Sequence, residues 1–267
     1  MTSITKLMDL KGRTALITGA AGGLGRVVGE TLAELGADLI LVDRPGSNLQ
    51  QCTEQLGLRW GVHVRDIFCD LEQSNQRQQL IEQVKAMKSG LNILVNNAAF
   101  VGTSELKGWS VPFEQQSVDT WRRAVEVNLT AVFELTQGFS SDLSVARGGC
   151  IINIASIYGE FGPDWRLYEG TQMGNPAAYG ASKGGLIQFT RWLSTTLAPA
   201  VRANCISPGG ISRGQSEAFV ARYVERTPLG RMATEEDFRG AVAYLASDLS
   251  SYVTGHNLSV DGGWGVW

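Results

Sequence analysis

Near the N-terminus a short apolar run, Arg13 to Thr18 (R-T-A-L-I-T), breaks at Gly19, and a helical pattern resumes through Leu35. A run of this length without polar alternation reads as a strand buried on both faces, the condition of a parallel sheet. Between strand and helix lies Thr18-Gly19-Ala20-Ala21-Gly22-Gly23-Leu24-Gly25. Glycines at 19, 23 and 25 remove side chains where the backbone must turn sharply and let a ligand approach. The helix that follows aims its free N–H groups and partial positive charge at that ligand, and a pyrophosphate is the natural occupant. A strand, a glycine loop and a helix in this order confine the chain to folds in which parallel strands alternate with helices.

The rest of the chain keeps the alternation. Ala37 to Val42 reads as a second strand ending in Asp43, where a carboxylate accepts hydrogen bonds from an adenosine ribose and repels a 2′-phosphate. Position 22 of the loop is glycine rather than a basic residue, although Arg44 follows Asp43, and NAD is expected over NADP. A helix over 47–58 leads to a third strand over 62–68 that runs into Cys69-Asp70-Leu71. Asp70 reads either as a partner of the adenine amino group or as the N-cap of a helix over 72–88. A fourth strand, Leu91 to Val95, runs into Asn96-Asn97-Ala98-Ala99, small and amide residues that suit the ligand crevice of an open sheet.

A long helix is expected over 119–141, with Trp121, Val125, Leu129 and Phe133 as an apolar stripe. Asn128 interrupts it, and a buried amide needs a partner, either structural or a water near the active site. A fifth strand, Cys150 to Ala155, ends at Ser156. A sixth, Val201 to Ser207, ends at Pro208-Gly209-Gly210-Ile211. Residues 213–228 read as a polar, mobile substrate loop. Thr234 caps a helix to Ser247, and a last strand over 256–260 precedes Asp261-Gly262-Gly263-Trp264. The expected fold is α/β: a single doubly wound Rossmann domain over 1–267, with a mostly parallel seven-stranded sheet and helices on both faces.

Composition narrows the function. The net charge is −3 with no basic block, which argues against nucleic acid or an anionic membrane surface as partner. Four cysteines form no C-x-x-C pair and only two histidines are present, so no metal site is expected, and the cysteines suit a reducing cytoplasm. No apolar run approaches the ~18 residues of a membrane span.

The chemistry centres on Tyr179-Gly180-Ala181-Ser182-Lys183. Positions i and i+4 share a helix face, so the Lys183 ammonium can approach the Tyr179 phenol. A nearby positive charge lowers a phenol's pKa, which would let Tyr179 exchange a proton with an alcohol or a carbonyl near neutral pH.

With these segments in order, the sequence resembles the short-chain dehydrogenase/reductase family over nearly its whole length. The matching motifs are T-G-x-x-x-G-x-G at 18–25, N-N-A-A at 96–99, Asn128, Ser156, Y-x-x-x-K at 179–183, P-G at 208–209 and D-G-G at 261–263. The resemblance implies Tyr179 as general acid/base, Lys183 on the nicotinamide ribose and lowering the phenol's pKa, Ser156 on the substrate oxygen, and Asn128 in a water relay to Lys183. It implies a dinucleotide site of Gly19, Gly22, Gly23, Leu24, Gly25, Asp43, Asp70, Leu71, Asn96, Ala98, Tyr179, Lys183, Pro208, Gly209 and Ile211. A homo-oligomer is implied too, a tetramer rather than a dimer, packed through the helices over 119–141 and 178–198.

Three departures stand out. Ala99 replaces the family's usual glycine, and Arg213 stands where a threonine often contacts the cofactor's carboxamide. Ser156 and Tyr179 lie 23 positions apart, more than is common in the family, so 157–178 reads as an inserted substrate loop. It offers aromatic faces (Tyr158, Trp165, Tyr168) and carboxylates (Glu160, Asp164, Glu169) beside one guanidinium (Arg166), a set suited to a sugar. Residues 156–171 and the Asp261–Trp264 ending resemble a subgroup tied to surface-sugar and flagellin-glycan biosynthesis. The expected activity is NAD-dependent interconversion of an alcohol and a ketone on a sugar or sugar derivative, with the insertion as interface or lid the other reading of that segment. The alternatives are a 3-oxoacyl-thioester reductase, which Asp43 and the acidic insertion count against, and a non-catalytic NAD-binding redox sensor, which the intact Ser156, Tyr179 and Lys183 count against.

Overall fold

A computed structural model describes residues 1–101 and 106–267. Its single sheet contains β1 (Thr14–Thr18), β2 (Asp38–Asp43), β3 (Val64–Phe68), β4 (Ile93–Asn96), β5 (Gly149–Ile154), β6 (Val201–Pro208) and β7 (Asn257–Val260). The order is β3-β2-β1-β4-β5-β6-β7, and every neighbouring pair is parallel. The sheet is thus wholly parallel, where a mostly parallel one was expected. The chain winds outward from β1 to β3, then returns to β4 on the other side of β1. Strand order therefore reverses between β1 and β4, which opens a crevice at their C-terminal ends.

Among the described residues the α-helices are α1 (Ile4–Met8), α2 (Gly23–Glu34), α3 (Leu49–Trp60), α4 (Ser74–Ala86), α5 (Val118–Val125), α6 (Ala131–Val145), α7 (Ala177–Thr196), α8 (Glu217–Arg226) and α9 (Arg239–Ala246). They cover both faces because successive strand side chains point to opposite sides. Ala15 and Ile17 of β1 join a core with Val28 and Leu32 of α2, Leu56 of α3 and Val242 of α9. Leu16 faces the other core, with Leu80 of α4, Leu135 and Phe139 of α6 and Leu193 of α7. Among the described residues no helix is long and apolar enough to cross a membrane.

Two segments differ from the sequence reading. The helix expected over 119–141 is α5 and α6 joined by a π-helical turn, Glu126–Thr130. Its core-facing residues are Ala124, Asn128, Ala131, Leu135 and Phe139, while Trp121 and Phe133 of the expected stripe stay 43% and 45% exposed. Periodicity shows that a stripe exists, not which surface covers it. The polar segment 213–228 is not an irregular loop, since it contains α8, with Phe219 and Tyr223 buried. These two side chains pack with Ile157, Leu167, Met232 and Trp264 in an aromatic-rich satellite core. Phe219, Val220, Tyr223 and Val224 form an apolar face on α8, whose partners arrive from distant segments of the chain.

The turn after β1 leaves no room for side chains. Gly19 has φ +66°, and a Cβ on Gly25 would run into the Gly19 carbonyl oxygen. Gly25→Ala is expected to destabilise the fold by about 3 kcal/mol through overpacking. Gly240→Ala, on α9 with open space around it, should be neutral or stabilising by up to ~1 kcal/mol. Urea midpoints of the two variants against the parent check the pair.

Candidate active site

At the C-terminal ends of β1, β2, β4, β5 and β6 a cleft of about 1080 Å³ runs from the glycine loop to Tyr179. Single small-molecule pockets span roughly 300–1,000 Å³, so there is room for a ligand with several parts. One end is lined by Gly22, Gly23, Asp43, Asp70 and Leu71, the other by Ala98, Ser156, Tyr179, Lys183, Pro208, Gly209 and Ile211.

The glycine loop fits a dinucleotide by a test of space. A Cβ on Gly19 would lie 2.8 Å from the Cα of Ala98, so the chain's own packing requires glycine there. A Cβ on Gly22 would meet only the Gly19 carbonyl oxygen, at 3.4 Å, and the residue is exposed on the cleft floor. Packing does not demand this glycine, and its bareness keeps the floor open. Beside it α2 starts without a side-chain cap. The first-turn N–H groups of Gly23, Leu24 and Gly25 therefore lack intrahelical acceptors and face a site that favours an anion.

Asp43 ends β2 with one carboxylate oxygen accepting from Ala21 N at 2.8 Å and the other from Arg44 N at 2.8 Å. Asp70 accepts from Glu72 N at 3.0 Å and so shapes the turn before α4, whose N-cap is Gln73. Asn96 departs from the expected cofactor set. Only 2% exposed, its side chain donates to Asn153 Oδ1 at 2.8 Å and does not line the cleft. Alternation along β4 turns it inward and presents Asn97 instead, which donates to the carbonyls of Thr18 and Gly19.

Three glycines bring Ser156 to Tyr179. The 3₁₀ turn Ile157–Gly159 lies directly on α7: a Cβ on Gly159 would reach 2.7 Å from the Lys183 carbonyl carbon, and Cβ atoms on Gly180 and Gly184 would lie 3.1 and 3.2 Å from carbonyl oxygens of that turn. The backbones can approach because these positions are bare, and Ser156 and Tyr179 line the same end of the cleft. One α-helical turn further on, Lys183 Nζ donates to the Ile154 carbonyl at 2.7 Å and lies 5.8 Å from the Tyr179 ring centre.

Burial and nearby charge act on Tyr179 and Lys183 together. Burial raises the Tyr179 phenol above its ordinary value, opposed by the nearby Ser156 hydroxyl and the positive charge of Arg213. Burial also pulls the Lys183 ammonium down to about 8. Both groups occupy one low-dielectric pocket that disfavours either charge. Arg213 faces Tyr179 as a further cation, which sequence spacing could not have placed.

Asn128 is wholly buried in the π-helical turn and does not line the cleft. Its amide accepts from Phe100 N at 2.6 Å and donates to Phe100 O at 3.3 Å and Ser182 Oγ at 3.0 Å. It ties the segment after β4, where Phe100 lines the cleft, to α7. Two arrangements had no readable signal in the sequence. Buried Arg77 bonds Glu126 and Glu134, both at 2.6 Å, and the Leu71 carbonyl, and so pins the π turn to the Asp70 end of the cleft. The Tyr223 hydroxyl accepts from Gly210 N, and α8 thereby holds the Pro208–Ile211 wall.

The insertion turns much of its polar chemistry away from the cleft. Asp164 binds Arg166 and Arg226, and Glu160 accepts from Ser259 Oγ. Arg222 donates to the carbonyls of Arg166, Leu167 and Glu169, and Arg226 lies 4.2 Å from the Trp264 ring centre. Among the described residues none of 157–178 lines the main cleft. Tyr158, Phe161, Trp165, Tyr168 and Met173 instead line a second hollow of about 850 Å³ beside Pro112, Phe113 and the start of α7.

Comparison with known proteins agrees with this architecture. A family model described as enoyl-(acyl carrier protein) reductase matches residues 19–265. The chain is 32% identical over 261 residues to a 3-oxoacyl-(acyl-carrier-protein) reductase of Aquifex aeolicus, covering 96% of this chain and 98% of the relative. A gluconate 5-dehydrogenase of Burkholderia cenocepacia, solved with NADP and tartrate, superposes with a TM-score of 0.86 at 28% identity, covering 99% of this chain and all of that one. A xylitol dehydrogenase solved with NAD⁺ gives 0.83 at 28% identity, covering 95% of this chain and 99% of that one.

Burial of Lys183 has a measurable signature. The folded protein holds the amine near pKa 8 while the unfolded chain titrates at the ordinary lysine value of 10.5. The cost of burying the charge is therefore full below pH 8 and is relieved as pH rises toward 10.5. After allowing for the lost hydrogen bond to Ile154, Lys183→Met should stabilise the empty protein by about 1–2 kcal/mol at pH 7. The gap to the parent should close through the alkaline range in thermal melts.

Proposed function

Because the chain belongs to the short-chain dehydrogenase/reductase family, we propose that it is an NAD(H)-dependent oxidoreductase interconverting a secondary alcohol and a ketone on a sugar or sugar derivative. The observation that carries the chemistry is the convergence of Ser156, Tyr179 and Lys183 on the cleft that begins at the glycine loop. A bound nicotinamide dinucleotide supplies the hydride acceptor or donor. Gly19, Gly22, Gly23, Leu24 and Gly25 hold its pyrophosphate, Asp43 its adenosine ribose, and Asp70 and Leu71 its adenine. Ala98, Pro208, Gly209 and Ile211 line the nicotinamide half, where Lys183 holds the ribose.

In the oxidative direction Tyr179 Oη accepts the proton of the substrate hydroxyl, and Ser156 Oγ hydrogen-bonds that oxygen as it becomes a carbonyl. Arg213 supports the phenolate by charge. Asn128 is a positioning residue that acts through Phe100 and Ser182.

The preference for NAD rests on the Asp43 carboxylate at the cleft, which repels a 2′-phosphate. The sugar reading is supported by the aromatic walls of the second hollow and by the names of the two dehydrogenases of similar structure. A 3-oxoacyl-thioester reductase is the second reading, favoured by the Aquifex relative and by the apolar rings of the same hollow. The protein acts in the cytoplasm as a homo-oligomer, a tetramer rather than a dimer. The exposed rings of Trp121, Phe133 and Trp192 on α5, α6 and α7 suit that packing.

Purified protein with NAD⁺ and a panel of sugars, sugar acids, polyols and nucleotide sugars should produce NADH, measured by absorbance, and Tyr179→Phe should lower kcat by at least about 10³-fold while NAD⁺ still binds. Undiminished turnover in that variant removes the assigned base. Activity confined to acetoacetyl thioesters moves the substrate to the second reading. For alcohol oxidation, kcat/KM should rise with pH above neutrality, since burial holds the phenol protonated there.

A further inference from the structure

Arg213 stands across the glycine loop from outside the sheet's first half. It follows the Pro208–Ile211 wall, where its backbone N donates to Gln215 Oε1 at 2.7 Å while Gln215 Nε2 donates to the Ile211 carbonyl at 2.7 Å. These two bonds close a tight turn that directs Arg213 back to the cleft it lines. Its Nε donates to Glu235 Oε1 at 2.9 Å. Glu235 opens the 3₁₀ turn Glu235–Phe238 that leads into α9.

The pair sits on the first turn of α2. A Cβ placed on Gly23 would lie 2.7 Å from Glu235 Oε1 and 3.4 Å from Arg213 Nη2. A carboxylate and a guanidinium therefore meet at the end of the cleft that attracts anions. The Arg213 side chain is 53% exposed, and Nε is its only side-chain nitrogen with a hydrogen bond among the described residues. An exposed ion pair of this kind contributes little and exchanges readily for a better partner. A pyrophosphate is such a partner, because it offers paired oxygens to the planar fork of an arginine.

We infer that Arg213 and Glu235 form an exchangeable latch at the cofactor's pyrophosphate: Glu235 holds Arg213 over the glycine loop in the empty cleft, and the entering pyrophosphate takes Glu235's place on the guanidinium. This rests on the dinucleotide site proposed above. It gives a binding role to the residue that replaces the family's usual threonine. It also gives Glu235 the opposite sign, because its charge competes with the ligand for Arg213 and repels the phosphates. The same guanidinium lies within electrostatic reach of Tyr179, so cofactor binding and the charge at the proposed base share one cation.

Calorimetric titration of ADP-ribose and of adenosine into the parent, Arg213→Gln and Glu235→Gln tests the latch without turnover. Arg213→Gln should weaken ADP-ribose about tenfold and Glu235→Gln should tighten it severalfold, with adenosine unchanged in both. A misfolded variant cannot produce the gain expected of Glu235→Gln. Unchanged ADP-ribose affinity in both variants, or equal losses for adenosine and ADP-ribose, overturns the latch and leaves the dinucleotide site intact. A parent that fails to bind ADP-ribose overturns both.

Discussion

The site depends on how the ends of β1 and β4 are joined. Thr18 Oγ1 accepts from the backbone N–H groups of Asn97 and Ala98, both at 3.1 Å, and Asn97 Nδ2 donates back to the carbonyls of Thr18 and Gly19. Gly19 fits between them only because it carries no Cβ. This lacing fixes the gap at which the strand order reverses. The glycine loop lies on one side of that gap, and the segment bearing Ala98 and Phe100 on the other. Everything else that reaches the cleft is aligned to this joint: Asp43 through Ala21, Asn128 through Phe100, and Tyr179 through Ser182.

Burial and charge oppose each other around Tyr179. Packing the Ile157–Gly159 turn onto α7 through bare glycines buries the ammonium, and the half-buried phenol beside it also resists its charged form. A second cation that favours the phenolate is Arg213, which is half in solvent and paired with Glu235. The charge around Tyr179 thus includes a residue from the wall opposite its helix. A charged group bound between the walls alters all of these balances at once.

Much of this was legible in the sequence because it is local. Each strand end, each glycine of the first loop and the spacing of Tyr179 and Lys183 occupy a few consecutive residues, and backbone geometry alone assigns them. Asn96 and Asn97 show where that reasoning reaches its limit, since two adjacent amides differ only in which side of β4 they face. Arg77 shows another. Its position on α4 resembles any surface arginine until Glu126 and Glu134 arrive from α5–α6 to neutralise it.

The sequence by itself determined the alternation of strands and helices, the glycine-rich turn after β1 and the spacing of Tyr179 and Lys183, because period-two and period-3.6 patterns and glycine conformations act within short stretches. Only the tertiary structure decided which apolar stripe faced the sheet, that α8 and the insertion share an aromatic core with Trp264, and which cation faces Tyr179. Those outcomes depend on groups that lie far apart in the chain. Their meeting follows from how the layers stack, and no local pattern encodes it.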